Sequence, residues 1–303
     1  MPDIAIIGGG VAGLTAGLYA ARGGAEAVVY EELFAGGQAA KTHRIDNYPG
    51  FPAGVDGAAL GPMIEEQARA FGLAVAYDAV TALDLSARRL CVGGVWLEAD
   101  AVILCMGASP KMLGVPREDE FTGRGVSYCA TCDGALFRGR DVAVVGGGDT
   151  ALSDALYLAR FCGSVTVIHR RDQFRAANAL VTAAAAQANI RFALDSVCTA
   201  LQGGETLSGL TLRNVKTGEE GELPAAGLFI AVGIEPRTQL VRGQLALAGD
   251  GSIRTNERME TSVPGVYAAG DVRNTPLRQV VTACADGAVA AAEAVGSLSR
   301  RNA

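Results

Sequence analysis

Two of the seven cysteines, Cys129 and Cys132, are separated by only two residues. This spacing suits half of a zinc site or a redox-active dithiol. A closed structural zinc site needs four ligands, whereas the chain has no second C-x-x-C pair and only two histidines, His43 and His169. A structural disulfide across two intervening residues would close too small a loop to stabilise much. The spacing therefore predicts a redox pair and no metal site.

The residue after the second cysteine is acidic. Disulfide exchange proceeds by thiolate attack with loss of a leaving thiolate, which benefits from a nearby acid. Asp133 could supply that proton, or it could be an ordinary turn or helix-capping residue, and the residue type allows both interpretations. The other five cysteines are scattered and are expected to be buried and inert; they are Cys91, Cys105, Cys162, Cys198 and Cys284.

A glycine-rich turn follows the first apolar segment, residues 4–7. Gly8, Gly10 and Gly13 have the G-x-G-x-x-G spacing that lets a pyrophosphate approach a helix N-terminus. Glu31 ends the second predicted strand, where a carboxylate can accept hydrogen bonds from ribose hydroxyls. A strand–turn–helix with these residues predicts a βαβ dinucleotide site.

The same pattern recurs after residue 141, with small residues in G-x-G-x-x-A spacing at Gly146, Gly148 and Ala151. Here basic residues, not an acid, follow the second strand: His169, Arg170, Arg171 and Arg175. Guanidinium groups bind a 2′-phosphate that an acid would repel. Most arginine clusters are merely solvated charge runs, but the position of this one favours an NADPH site.

The repeat indicates an internal duplication, because each copy continues into hairpin-like strands and an apolar strand followed by a proline. The C-terminal segment has no counterpart in the second copy and should complete the first domain. We therefore expect an α/β protein with two Rossmann-like, three-layer ββα dinucleotide-binding domains, the second inserted into the first. The expected domains are residues 1–113 with 238–303, and residues 114–237.

Composition limits the possible classes. A chain of 303 residues can form two domains of ordinary size, and 50% hydrophobic with 19% charged residues excludes disorder. A net charge of -6 argues against a nucleic-acid partner. No run approaches the roughly 18 consecutive apolar residues of a membrane helix. Because the N-terminus lacks a basic region and a cleavage site, we expect a cytoplasmic, unprocessed protein.

Taken together, these motifs closely resemble the low-molecular-weight, bacterial-type, NADPH-dependent thioredoxin reductases over nearly the whole length. The motifs are the two glycine turns, the Cys129–Gly134 segment, the arginine cluster, and the sequences at residues 36–38, 47–50, 270–271 and 278–279. The resemblance implies that FAD binds the first fold and that NADPH binds the inserted fold, which carries the dithiol. It also implies a homodimer whose partner is thioredoxin or a thioredoxin-like protein.

The resemblance also implies roles for single residues. Glu31 would meet the adenosine ribose of FAD, and the flavin side of the site would include Gly37, Gln38, Asn47, Asp271, Arg278 and Gln279. The four basic residues from His169 to Arg175 would hold the 2′-phosphate of NADPH. Cys132 would be the sulfur nearer the flavin, with Asp133 as the acid. Ser153 and Asp154 stand where family members usually carry two glutamates.

Two other functions remain compatible with the residues. A flavin-dependent dithiol oxidase could use the same scaffold, although such relatives tend to lack the NADPH arginines. A non-catalytic redox sensor could keep FAD and a dithiol only to change shape. Reduction of the bound flavin by NADPH would argue against the sensor.

Overall fold

The computed structural model describes residues 2–42 and 44–301, so His43 lies outside the described residues. The chain forms two compact units. The discontinuous unit contains Met1–Ser109 and Glu235–Ala303, and the inserted unit contains Pro110–Ile234. These divisions lie a few residues before the expected boundaries at 113/114 and 237/238.

The discontinuous unit begins with a βαβ segment and two groups of strands. Its elements before the insertion are β1 Ile4–Ile7, α1 Val11–Arg22, β2 Ala27–Glu31, α2 Gly57–Arg69, β3 Ala74–Tyr77, β4 Val80–Asp84, β5 Arg89–Val92, β6 Val95–Glu98, β7 Ala101–Leu104 and β8 Ala108–Pro110.

The inserted unit repeats this plan. Its elements are α3 Glu118–Phe121, β9 Val126–Ser127, α4 Ala130–Asp133, β10 Asp141–Val145, α5 Asp149–Leu158, β11 Ser164–Ile168, α6 Asn178–Ala185, β12 Ile190–Ala193, β13 Ser196–Gly203, β14 Leu207–Asn214, β15 Glu220–Pro224 and β16 Gly227–Ile230. The chain then continues through β17 Ile234–Pro236, β18 Val266–Ala268 and α7 Val280–Arg301.

The centre of the discontinuous unit is a parallel sheet in the order β18-β7-β1-β2-β3. Ile4 and Ile6 of β1 pack into a cluster with α1, α2 and α7, whereas Ala5 and Ile7 pack on the other face against Leu83 and Leu90 of the antiparallel sheet β4-β5-β6. Both faces are covered, which explains why β1 is apolar at every position.

The inserted unit has the same three layers around a parallel sheet in the order β12-β11-β10-β16-β9. Val142 and Val144 of β10 pack against α5 and α6, whereas Ala143 and Val145 face Leu210 and its neighbours in the antiparallel sheet β13-β14-β15. The predicted fold class, two three-layer dinucleotide-binding folds, is confirmed.

Helix α7 completes the discontinuous unit. By length and composition alone it could cross a membrane. It packs against α1, however, and buries Ala290, Ala291 and Ala294 completely. One face of α7 is therefore part of the core of the discontinuous unit. The close contact depends on Gly287, because a Cβ there would overlap the carbonyl oxygen of Ala12.

We therefore expect Gly287→Ala to destabilise the protein by about 1 to 3 kcal/mol, since the added methyl group forces α1 and α7 apart. Gly296→Ala is the matched control on the same helix. Its Cβ would meet only the flexible end of Arg300, so alanine should be neutral or stabilising. Urea unfolding checks both variants; equal stability of the two would contradict this packing argument.

Candidate functional site

The dithiol lies at the start of the short helix α4. Cys129 and Cys132 are joined by a disulfide, with their Cα atoms 5.3 Å apart. The Cys129 carbonyl oxygen accepts hydrogen bonds from the backbone N–H groups of Cys132 and Asp133, at 3.2 and 3.1 Å. The tetrapeptide is thus a single helical turn, which brings two cysteines at this spacing within bonding distance.

Asp133 has one side-chain partner among the described residues, the Ser127 hydroxyl. Ser127 donates to the Asp133 Oδ2 atom at 2.7 Å and accepts from the Cys129 N–H at 3.1 Å. Burial raises the pKa of the Asp133 carboxyl, and the Ser127 hydrogen bond opposes that rise. A raised pKa suits a proton donor. Ser127 was not identified from the sequence, because a lone serine before a C-x-x-C pair is not a recognisable pattern.

Helix α4 packs against α5, the helix that begins at the second glycine turn. Gly134, directly after α4, lies so close to α5 that a Cβ there would meet the side chains of Leu158, Phe161 and Tyr157. The dithiol and the predicted NADPH turn are therefore supported by the same helix within the inserted unit.

The second glycine turn also positions the arginine loop. Gly148 is the residue before α5, and two hydrogen bonds tie the loop to this region. The Arg175 N–H donates to the Gly147 carbonyl at 2.7 Å, and the Ala177 N–H donates to Asp149 Oδ1 at 2.8 Å. The loop is held beside a helix N-terminus, where free N–H groups favour a phosphate.

Three of the four predicted 2′-phosphate ligands face solvent together. Arg170, Arg171 and Arg175 are exposed and line a cavity of about 400 Å³. Such a cluster can bind a phosphate dianion.

His169 is placed differently. Its side chain is only 6% exposed, it lies under Gly147 and it stacks on Phe174. Its Nε2 donates to the Gln173 carbonyl at 3.1 Å, and burial lowers its pKa. The His169 ring therefore packs beneath the arginine loop and supports it. It does not line the cavity with the three exposed arginines.

Lys216 is a further member of this cavity that sequence reasoning missed. It comes from the β14–β15 turn and pairs with Asp172 at 3.1 Å and Asp195 at 3.0 Å. Asp195 has a φ of 51°, a left-handed conformation that aspartate tolerates better than most residues. Lys216 therefore offsets two negative charges beside the arginines. The sequence did not predict this role, because Lys216 lies about 40 residues after the arginine cluster.

Removing the Lys216 charge should weaken NADPH binding selectively. For Lys216→Met we expect the KM for NADPH to rise about 2- to 5-fold, because Asp172 and Asp195 then repel the 2′-phosphate. The KM for NADH should stay unchanged, since NADH lacks that phosphate. Arg213→Met, which removes an exposed charge from the same hairpin outside the cavity, is the control. A parallel rise for NADH would contradict the assignment.

Ser153 and Asp154 lie in the second turn of α5, with Ser153 exposed and Asp154 half-buried. Burial raises the pKa of Asp154 to about 6. Between about pH 4 and pH 6 the folded protein therefore binds more protons than the unfolded chain. The contribution of Asp154 to stability therefore falls as the pH rises through this range.

Asp154→Asn should therefore raise the free energy of unfolding by about 1 to 3 kcal/mol at pH 7.5 and change it little at pH 4. The physical reason is that asparagine carries no charge for burial to disfavour. Urea unfolding at the two pH values provides the measurement, and Asp119→Asn, an exposed site in α3, is the control. An equal gain at both pH values would show that the effect does not come from the Asp154 charge.

The first glycine turn has the close backbone contacts that a dinucleotide site needs. Gly8 has a φ of 103°, and a Cβ on Gly13 would overlap the Gly8 carbonyl oxygen. Glu31 orders the turn, since Oε2 accepts the Gly9 N–H at 2.6 Å and Oε1 accepts the Leu33 N–H at 3.0 Å. Its carboxylate oxygens retain lone pairs for ribose hydroxyls.

Other predicted flavin-side residues, far apart in sequence, lie together. Gly37 approaches Gly10 so closely that a Cβ on Gly37 would lie 3.1 Å from the Gly10 Cα. Gln38 follows in the same short 3-10 helix, Gly37–Lys41. Asn47 Nδ2 donates to Gln279 Oε1 at 2.9 Å across 232 residues of sequence. The first contact lies at the start of α1, and the second joins two polar side chains that the resemblance assigns to the flavin side.

Asp271 is fixed beside the same helix start. Its neighbour Gly270 lies against Ala12, and the Gly270 N–H donates to Asp286 Oδ2 at 3.1 Å. Asp286 in turn binds Arg273 through both carboxylate oxygens, at 2.7 and 2.9 Å. This buried pair was missed in the sequence, although an aspartate within the apolar α7 segment was an available signal. Burial raises the pKa of Asp271, and Arg278 opposes the rise.

Arg278 has an unsatisfied donor. Its Nε is buried and has no hydrogen-bond partner among the described residues, while its Nη2 lies 3.8 Å from Asp250 Oδ2. A buried donor without a partner costs free energy, so an acceptor on a bound cofactor would satisfy it. This donor and the glycine contacts are compatible with FAD in the discontinuous unit. The cavity lined by three arginines is likewise compatible with NADPH in the inserted unit.

Buried thiols do not suit redox chemistry, and four of the five remaining cysteines are buried as expected. The expectation was wrong for Cys91, which is only half-buried. Cys105, Cys162, Cys198 and Cys284 are buried, and burial raises the thiol pKa of Cys162 and Cys198 to about 11. Thiols with such pKa values stay protonated at neutral pH. Within residues 2–42 and 44–301, no group of three or more His, Cys, Asp or Glu side chains is arranged to hold a metal ion.

Comparison with known proteins agrees with this geometry. The pyridine nucleotide-disulphide oxidoreductase family matches residues 2–287. The chain is 45% identical to the thioredoxin reductase of Streptomyces coelicolor, covering 96% of this chain and 92% of that protein. It is 43% identical to that of Mycolicibacterium smegmatis, covering 96% and 95%. The crystal structure of thioredoxin reductase from Streptococcus pyogenes superposes with a TM-score of 0.93 at 42% identity, over 99% of both chains.

The chain therefore belongs to the pyridine nucleotide-disulphide oxidoreductase family. It is a flavoprotein disulfide reductase that uses FAD and NADPH. The resemblance to bacterial thioredoxin reductases is confirmed, as are the predicted enzyme class and cofactors.

Proposed function

We propose that this protein is a thioredoxin-disulfide reductase. Electrons from NADPH reach the Cys129–Cys132 disulfide through FAD, and the resulting dithiol reduces a disulfide of thioredoxin. The observation that carries this proposal is the composition of the inserted unit. A disulfide with an adjacent half-buried acid and a cavity lined by three arginines are supported by the same helix, α5.

The discontinuous unit would hold FAD. Gly8, Gly10 and Gly13 would receive the pyrophosphate, Glu31 the adenosine ribose and Asp271 the ribityl chain. Arg278 would donate to the cofactor through its unsatisfied Nε, and the flavin would lie along Gly37, Gln38, Asn47 and Gln279. FAD supplies the two-electron chemistry that links a hydride donor to a disulfide.

The inserted unit would hold NADPH. Gly146, Gly148 and Ala151 form the turn that receives the pyrophosphate at the start of α5. Arg170, Arg171 and Arg175 would bind the 2′-phosphate, and His169 would support their loop.

The dithiol would act by two exchange steps. The Cys129 thiolate attacks one sulfur of the partner disulfide, forming a mixed disulfide and releasing one partner thiolate. The Cys132 thiolate then attacks the Cys129 sulfur, which re-forms the Cys129–Cys132 disulfide and releases the second partner thiolate. Asp133 would donate a proton to a leaving thiolate and regain one from solvent. The dithiol is oxidised by two electrons, and the partner is reduced by two.

Several observations support thioredoxin as the partner and a cytoplasmic homodimer as the working form. A relative from Mycobacterium leprae, 43% identical, is described as a bifunctional thioredoxin reductase/thioredoxin. The dimer rests on the resemblance to the family. Free cysteines that are mostly buried and a net charge of -6 are compatible with a reducing, cytoplasmic setting and with no nucleic-acid partner. The arginine cavity favours this function over a dithiol oxidase.

The decisive variant is Cys132→Ser. We expect it to lose NADPH-dependent reduction of thioredoxin while its flavin is still reduced anaerobically by NADPH, because only the step after the flavin needs the sulfur. Consumption of NADPH with oxidised thioredoxin is the measurement. Cys91→Ser, at a half-buried cysteine of β5 in the other unit, should behave like the unmodified protein. Sustained thioredoxin reduction by Cys132→Ser would refute the proposal.

A further inference from the structure

Ser127 is the end residue of β9 and is only 4% exposed. Three polar groups lie within hydrogen-bond distance of its hydroxyl oxygen. These are the Asp133 Oδ2 atom at 2.7 Å, the Cys129 carbonyl oxygen at 3.3 Å and the Cys129 N–H, whose nitrogen is 3.1 Å away. The hydroxyl therefore connects the acid to the backbone of the first redox cysteine.

A serine hydroxyl has one hydrogen to donate and two lone pairs that accept. Here the Cys129 N–H uses one lone pair permanently. The single hydrogen can point to Asp133 or to the Cys129 carbonyl, but not to both. When Asp133 is ionised, the hydrogen must point to the carboxylate. When Asp133 is protonated, the acid can donate to the second lone pair, and the hydroxyl hydrogen can turn to the carbonyl.

Among residues 2–42 and 44–301, no charged side chain pairs with Asp133. The titratable residues of α5, against which α4 packs, are Asp149, Asp154 and Tyr157, and none of them is paired with Asp133 in the described structure. Strands β9 and β16 and the turn Gly134–Phe137 contain no titratable residues. Tyr128, next to Ser127, donates to Glu118 at 2.8 Å. Burial and the Ser127 hydrogen bond are thus the two influences on Asp133.

We propose that Ser127 is a positioning residue whose hydroxyl turns between Asp133 and the Cys129 carbonyl, so that Asp133 is hydrogen-bonded in both protonation states. This inference deepens the proposed function, because Asp133 is the acid of that proposal. The proton on Asp133 moves to a leaving thiolate, and the hydroxyl hydrogen follows by rotation, without any change in the number of hydrogen bonds to Asp133. The protonation of the acid is thereby coupled to the backbone of Cys129.

The unmodified protein offers the first test. In the oxidised holoenzyme, labelled with ¹³C at the Asp carboxyl and Cys carbonyl carbons, the Cys129 carbonyl resonance should titrate with the same midpoint as the Asp133 carboxyl. Because the Asp133 N–H also donates to this carbonyl, a titration carried by the hydroxyl should disappear in Ser127→Ala as well as in Asp133→Asn. A Cys129 carbonyl that does not respond to pH while Asp133 titrates would overturn the proposal.

Substitution of Ser127 offers the second test. In Ser127→Ala the ionised carboxylate loses its hydrogen bond, so the Asp133 midpoint should rise by about one pH unit or more. In Ser127→Thr, which keeps a hydroxyl, the midpoint should stay at the unmodified value. An unchanged midpoint in the alanine variant would overturn the proposal, and should that variant not fold, the measurement on the unmodified protein still decides.

Turnover with thioredoxin separates positioning from general structural damage. If Ser127 acts through Asp133, Ser127→Ala should lower the rate strongly in the natural background and by less than about 2-fold in the Asp133→Asn background. The same fold-loss in both backgrounds would show that Ser127 acts independently of the acid. The unmodified protein could fail to reduce thioredoxin while the Asp133 midpoint still rises in Ser127→Ala. In that case the proposed function would fail and the role of Ser127 would stand.

Discussion

Each parallel sheet of this protein depends on a close approach between the end of its central strand and the helix that follows. A Cβ on Gly13 would overlap the Gly8 carbonyl oxygen, and a Cβ on Gly146 would overlap the Ala151 Cβ of α5. Because no side chain fits between strand end and helix start, the N-termini of α1 and α5 stay free to receive a phosphate. The residues that select the nucleotide are then attached to these turns, through Glu31 and Gly9 in one unit and through Arg175 and Gly147 in the other.

The dithiol depends on the same scaffold. The turn that holds Cys129 and Cys132 ends at Gly134, which has no side chain and can therefore pack directly on α5. Asp133, directly before Gly134, is half-buried, and this burial raises its pKa. The packing of this turn on α5 thus positions the disulfide. The neighbouring acid stays protonated to a higher pH than a solvent-exposed aspartate would. The Ser127 hydrogen bond limits the rise, so the acid can still give up its proton.

The parts of this site that form a recognisable short sequence pattern could be predicted, and the parts that form no such pattern could not. Glycine spacing, the cysteine pair and the arginine cluster each form a short pattern with a known physical use. Lys216 acts on residues far away in sequence, and its sequence neighbours give no sign of it. Ser127 lies only six residues before Asp133, but a lone serine there forms no recognisable pattern. The pair Arg273–Asp286 left one signal, the aspartate within the apolar α7 segment. His169 shows the opposite problem. It belongs to a basic run, yet its ring is buried, because Gly147 has no side chain and leaves space for the ring.

The central claim is that electrons from NADPH arrive at Cys129 and Cys132. It is tested most directly by adding NADPH to the oxidised holoenzyme without oxygen, alkylating the thiols and locating the labels by peptide mass spectrometry. The account predicts two new labelled thiols per chain, at Cys129 and Cys132, and no gain at the five other cysteines. A fully reduced flavin with the Cys129–Cys132 disulfide still intact would contradict it.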